Sequence, residues 1–316
     1  MKRAQFIFSA IVSLVFLFLL VPCTGAATLT YGPLVGSVTD TSANIWIRSD
    51  SAASAVVQYQ VSGGNWSQPS QSAAVSLTAG NDFTGALFLT NLSAATSYDY
   101  RVLLDGVVQS ASTSVFKSLP AQGTPGRFTF VFGADIQQDQ KPHTIFGRLA
   151  AQQADFALLM GNTTYSDLSS PAATEADFWT AYKANRADSF FQSFANRTPI
   201  FTVWNDHDYG TNDSDSSYAL KSASRAAFGK YWANPPYVES NASVYYKFSA
   251  ADTDFFVLDT RFNRVPGATL LGATQLQWLK NQLLASTATF KFVVSPDMVS
   301  DFGTTGADSW AGARAN

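Results

Sequence analysis

The sequence predicts an all-β segment followed by a layered α/β domain, and three observations carry that prediction. Short alternating apolar runs recur at intervals of about ten residues between positions 29 and 117. The composition then breaks at Ser118-Leu119-Pro120-Ala121-Gln122-Gly123-Thr124-Pro125-Gly126, a turn-rich stretch. Beyond it, strand-like apolar runs alternate with helix-like stretches, the pattern of a layered α/β unit. The expected units are therefore a β domain over 28–118, a linker over 119–126 and an α/β domain over 127–316.

Ahead of these units, Lys2 and Arg3 precede an apolar run from Phe6 to Val21 and the small residues Thr24-Gly25-Ala26-Ala27. Residues 1–27 read as a secretory leader, which implies an exported protein, periplasmic or extracellular. The run is 16 residues long, short of the ~20 that a spanning helix needs. Pro22 argues against a lipid anchor on Cys23. Cys23 is the only cysteine, so cleavage leaves no disulfide and no thiolate metal site. Loss of Lys2 and Arg3 takes the formal net charge from −3 to −5, which argues against nucleic acid as a partner.

In the β segment the runs are 43–47, 55–59, 85–89 and 97–102, with Asp105-Gly106 marking a hairpin. Trp46 is expected in the core of a sandwich. The stretch from Leu92 to Tyr98 and Tyr100 resembles the corner entering a strand of fibronectin-type or immunoglobulin-like domains. In the α/β segment, strands are expected at 128–132, 156–160, 200–203, 244–248, 254–258 and 290–294. Helices are expected at 143–153, 175–194, 217–232 and 273–284. Phe178, Trp179, Tyr182, Phe190, Phe191 and Phe194 have helical spacing and read as core.

Three of these strands run into polar clusters: Gly133-Ala134-Asp135-Ile136-Gln137, Gly161-Asn162-Thr163-Thr164-Tyr165-Ser166-Asp167, and Trp204 to Asp213. The last packs Asp206, Asp208 and Asp213 with Asn205, Asn212 and His207 into ten residues. Such oxygen-rich sets suit hard or borderline cations, and the imidazole suits proton transfer. Strand ends that share a rim gather ligands distant in sequence.

The order of these clusters resembles metallophosphoesterases, in particular the alkaline phosphatase D-type family of exported phosphatases and phosphodiesterases. The resemblance spans nearly the whole mature chain. It includes Tyr31 to Asp40, Phe255-Phe256-Val257-Leu258-Asp259-Thr260-Arg261, Leu271 to Leu279 and Ala307-Asp308-Ser309-Trp310. It implies a fibronectin/immunoglobulin-like sandwich followed by an α/β/β/α metallophosphoesterase domain. By resemblance, Asp135, Asn162, Tyr165 and Asp206 fall on metal positions and His207 on the residue assisting at the phosphoryl group. Asn205, Asp208 and Asn212 support them from behind. The resemblance implies calcium and iron, and the donor set also admits zinc or manganese. The substrate it implies is a phosphate ester, hydrolysed by a metal-activated water.

Two departures from the family pattern matter. Asn162 stands where the family places an aspartate that bridges two metals. Two divalent ions ~3.5–4 Å apart repel by on the order of 20 kcal/mol gross at an effective dielectric of ~20, and a neutral amide offsets less of that than a carboxylate. The family's late glycine-aspartate-x-histidine motif has no counterpart before Asn316, so the α/β domain is expected to lack its C-terminal part. His143, the only other histidine, reads as a solvated surface residue. Arg261 is expected to pair with Asp259 or to orient a substrate phosphate. Beside a weakened phosphoesterase stand two rivals: a non-catalytic extracellular binding protein on the same fold, and a single-metal enzyme using Asp135, Tyr165 and Asp206.

Overall fold

Alternating burial along the first strands builds two facing sheets in the computed structural model, which describes residues 25–109, 114–300 and 309–313. Most of the expected leader, Cys23 included, lies outside the described residues, as do Ala307 and Asp308. Among the described residues no helix is long and apolar enough to cross a membrane. The strands are β1 (Leu29–Gly36), β2 (Ala43–Ser49), β3 (Ala53–Val61), β4 (Ser70–Gln71), β5 (Val75–Leu77), β6 (Thr84–Leu89), β7 (Ser97–Leu104), β8 (Val107–Val108) and β9 (Ser114–Lys117). β1, β2 and β6 form one layer; β4, β3, β7 and β8, with β5 and β9 attached, form the other. Ile45, Ile47, Leu87 and Leu89 of the first layer, and Val57 and Val102 of the second, are fully buried in one core. Asp105 and Gly106 both adopt positive φ, 49° and 81°, as a two-residue hairpin of matching twist requires. The Tyr98 hydroxyl accepts a hydrogen bond from the Ser93 amide at 2.7 Å and closes the expected corner.

Trp46 departs from expectation. It alternates with Ile45 and Ile47, so its ring faces away from the sandwich interior. It is buried against Tyr231, and its indole N–H donates to the Lys230 carbonyl at 2.7 Å.

The second half contains β10 (Phe130–Gly133), α1 (Ile145–Ala150), β11 (Phe156–Met160), α2 (Glu175–Arg186), α3 (Ser189–Ala195), β12 (Ile200–Val203), α4 (Asp206–Tyr209), α5 (Lys221–Tyr231), β13 (Tyr246–Ala250), β14 (Thr253–Val257), α6 (Gly272–Ala285) and β15 (Phe290–Val294). β10, β11 and β12 are parallel neighbours; β14 lies between antiparallel β13 and parallel β15. Phenylalanines fill the space between the two sheets. Phe130 stacks on Phe156 at 5.2 Å, and Phe156 meets Phe255 edge-on at 5.4 Å. On the other face of β14, Phe256 meets Trp278 of α6. Helices therefore cover the outer faces of two packed sheets.

The helix expected over 175–194 is two helices. Asp188 adopts an extended conformation (ψ 120°) and its carboxylate accepts the Phe191 amide, capping α3. This break leaves Phe190 37% exposed, whereas Phe178, Tyr182, Phe191 and Phe194 are core as expected.

The two halves share one sheet, because β1 pairs in parallel with β12 at Gly36↔Ile200. A Cβ on Gly36 would lie 2.5 Å from the Ala233 carbonyl oxygen, so this seam tolerates no side chain. Gly36→Ala is expected to cost about 2 kcal/mol by overpacking, read as a lower midpoint in urea at unchanged slope. The turn-rich stretch after β9 is docked on both sides: the Leu119 amide donates to the Thr39 carbonyl, and the Gly123 amide to that of Ala251.

Candidate metal and phosphate site

The three polar clusters converge because β10, β11 and β12 run in parallel and end on one rim. Asp135 follows β10 with φ 59°, and Asn162 follows β11 with φ 49°. Between β11 and Asn162, Gly161 has φ 91°, and a Cβ there would meet the Asn205 Cβ at 2.5 Å. That close approach brings the second and third clusters together. The amides of Asp135 and Ile136 donate to the carbonyls of Gly161 and Asn162, which joins the first cluster to the second.

Side chains complete the junction. Asn162 Nδ2 donates to Asp135 Oδ1 at 3.1 Å, and the His207 amide donates to Asn162 Oδ1 at 3.2 Å. The Tyr165 hydroxyl donates to Asp135 Oδ1 at 3.3 Å, and its ring stacks on the His207 imidazole at 4.2 Å. Burial and the Asp135 carboxylate both push the Tyr165 phenol well above its ordinary pKa. His207 Nδ1 lies 2.8 Å from Asp167 Oδ1, and Asp167 Oδ2 also accepts the Asn212 amide at 3.0 Å. Asp206 Oδ2 accepts the Asp213 amide, whereas the buried Oδ1 has no hydrogen-bond partner among the described residues. Burial works to raise the Asp206 carboxyl. The Arg261 charge, the Asp213 N–H and nearby His207 outweigh it and hold the carboxyl below the ordinary value.

Behind this layer sits Asp208. Its Oδ1 accepts the Thr163 amide, the Thr163 hydroxyl and the Thr164 amide; its Oδ2 accepts the Asn205 amide at the start of α4. Full burial pushes its carboxyl up to about 7 against the pull of these donors.

Comparison with known families decides the relationship. The model of the PhoD-like phosphatase family matches residues 128–316. The chain belongs to the PhoD-like phosphatase family. Residues 26–118 match a domain of unknown function, DUF7800. Among solved structures, the chain is similar to PhoD with a TM-score of 0.77 and 18% identity, over 89% of this chain and 66% of PhoD. It is also similar to a purple acid phosphatase from yellow lupin (Lupinus luteus) seeds, with a TM-score of 0.63 and 13% identity, over 84% of this chain and 50% of that one. The chain thus spans less than two thirds of each of these proteins. No curated protein sequence matches it.

Two residues of this PhoD-like chain sit differently from the sequence reading. Asp259 spends its carboxylate on the Arg261 and Phe262 amides, the Ser243 hydroxyl and the Val244 amide, so it does not take the Arg261 guanidinium. That guanidinium is fully buried; Nε donates to Asn205 Oδ1 at 2.6 Å and Nη2 to Asp297 Oδ1 at 2.7 Å. It lies 3.9 Å from Asp206 Oδ1 and backs that carboxylate from inside the protein, where a substrate phosphate does not reach. His143 is not solvated: its side chain is 10% exposed, with Nδ1 on the Asp188 carboxylate and Nε2 on the Gln137 carbonyl. It ties the loop after Asp135 to the start of α3.

Four contributors escaped the sequence reading. Asp167 orients His207; Gln138 exchanges two hydrogen bonds with the Tyr165 backbone; Arg264 and Asp297 complete the buried ion cluster around Arg261. Asp167 was the accessible one, since it ends the polar run that begins at Gly161.

The donor set bears on what it can hold. Among the described residues no group of three His, Cys, Asp or Glu side chains is placed to bind a metal ion. The rim instead offers the carboxylates of Asp135 and Asp206 and the phenol of Tyr165, with the Asn162 oxygen committed to the His207 amide. Two carboxylates, one of them Asp206 with a buried Oδ1 that takes no hydrogen bond, and the Tyr165 phenol suit one hard cation. They do not fit a pair sharing Asn162, whose NH2 faces Asp135. Beside Tyr165, Ser166 and Lys141 a groove of about 640 Å³ leaves room for an ester group.

Proposed function

We propose that the chain is an exported phosphoesterase whose rim holds a single cation and turns over slowly. The observation that carries this reading is the pairing of Asp206, buried with an Oδ1 that takes no hydrogen bond, with His207, oriented by Asp167. The Asp167 contact keeps the neutral imidazole's proton on Nδ1 and leaves Nε2 as its acid–base atom. Tyr165 stacks against the ring and limits its rotation. Arg261 and the Asp213 amide hold Asp206 ionised. Asp135, Tyr165 and Asp206 would hold the cation, which when bound supplies charge stabilisation at the phosphoryl oxygen and an acidified water. Calcium, iron, manganese and zinc are the metals to test. Phosphate monoesters and diesters both fit the chemistry, and the leader implies that they are met outside the cytoplasm.

The assay is hydrolysis of p-nitrophenyl phosphate and bis(p-nitrophenyl) phosphate with each metal. His207→Asn is expected to lower kcat/KM by about 10²–10⁴-fold, and Asp167→Asn by about 10–100-fold, with unchanged metal content. If the parent hydrolyses neither ester with any of the metals, the enzymatic reading fails. The non-catalytic binding protein is then the better reading, and it too has an observation in its favour: the Asn162 amide already joins Asp135 to the His207 backbone without a metal.

A further inference from the structure

A second cleft, of about 620 Å³, lies at the junction of the sandwich and the α/β half and shares no residue with the rim. A row across adjacent strands shapes it: Phe88 of β6 is opposite Asn44 of β2, which is opposite Gly36 of β1, next to Ile200 of β12. Residues directly opposite one another share a face of the sheet. Phe88 therefore stands as a wall beside the Asn44 carboxamide, and the ring is 53% exposed. Phe201 and Phe248 line the cleft as well, with Pro235 and Pro236.

The polar lining has one chemical character. Ser37, Thr39, Ser42, Asn44, Gln122 and Ser249 are all hydroxyls or carboxamides. Each such group both donates and accepts. Ser37 is only 6% exposed, yet its hydroxyl has no hydrogen-bond partner among the described residues; the Asn44 carboxamide has none either. Both groups are therefore open to hydrogen bonds from a molecule in the cleft. Among the described residues Lys247 is the only charged one in the lining, and its ammonium is paired with Asp254 at 2.7 Å. The cleft therefore presents no free charge to a ligand.

We propose that this cleft binds a neutral saccharide. Sugar hydroxyls match groups that both donate and accept, and the apolar face of a pyranose matches an exposed aromatic ring. An anionic ligand finds no unpaired cation here, and a purely apolar one would leave Ser37 and Asn44 unmet. Binding here places a glycan beside the phosphoesterase half without entering its rim.

The test is calorimetric titration of the full chain with cellotetraose, xylotetraose, maltotetraose and chitotetraose, each at about millimolar concentration. At least one is expected to bind. Phe88→Ala and Asn44→Ala are each expected to weaken that binding about tenfold or more, at unchanged melting temperature. Phe88 is exposed, so its removal leaves the core intact. Absence of binding by all four sugars overturns the proposal. Binding that survives both substitutions also overturns it, because the sugar then sits elsewhere. A proline-rich peptide that binds in a Phe88-dependent manner, where no sugar does, reassigns the cleft to a peptide.

Discussion

Asp208→Ala is expected to lower stability by about 4 kcal/mol and the melting temperature by about 10 °C. The carboxylate is fully buried and is the shared acceptor for three amides and a hydroxyl. Three of those donors belong to the turn after β11 and one to the start of α4. Truncation leaves all of them buried without an acceptor, and each unmet donor costs on the order of 1–3 kcal/mol before relaxation. The loss also unfastens the loop carrying Asn162 from the helix carrying Asp206 and His207. Asp208→Asn keeps the volume but turns an NH2 toward one set of amide donors, so an intermediate loss is expected. Thermal unfolding followed by circular dichroism measures both. An alanine variant that melts within about 2 °C of the parent would mean that Asp208 does not fasten the rim.

Asp208 also shows what the sequence makes legible and what it hides. The carboxylates of the third cluster stand out in the chain, and their position after a buried strand places them on a rim. Nothing in the spacing separates Asp206, with one oxygen left open, from Asp208, whose oxygens are all occupied. That difference arises from the turn of α4, which points neighbouring residues in different directions. Arg261 was hidden in the same way. Local sequence suggests Asp259 as its partner, but three backbone amides and the Ser243 hydroxyl saturate that carboxylate, and Asp297 arrives from 36 residues downstream. Strand and helix positions, by contrast, follow from periodicity, and the parallel order of β10, β11 and β12 follows from the helices between them. The shared sheet between the two halves is not legible, because pairing of β1 with β12 has no local signature. Trp46 faces α5 of the other half, a contact that likewise has no local signature.

Asn162→Asp is expected to change the sign of the metal's effect on stability. In the parent, Asn162 Nδ2 donates to Asp135 Oδ1 at 3.1 Å, an attraction that needs no cation. The substitution removes that donor and sets a second carboxylate against the first. Without metal, the variant is expected to be about 1–3 kcal/mol less stable than the parent. With metal, the added charge becomes a ligand, so affinity rises with the count of charged donors. Bound metal then stabilises the variant more than the parent, in proportion to the logarithm of metal concentration over Kd. Melting temperatures should therefore cross: variant below parent in chelator, variant above parent in excess calcium or manganese. Elemental analysis should show more bound metal per chain, and turnover of bis(p-nitrophenyl) phosphate should rise with it. If the variant and parent respond identically to metal, Asn162 does not stand between the ligands. The idea that Asn162 limits the rim to one cation would then fail.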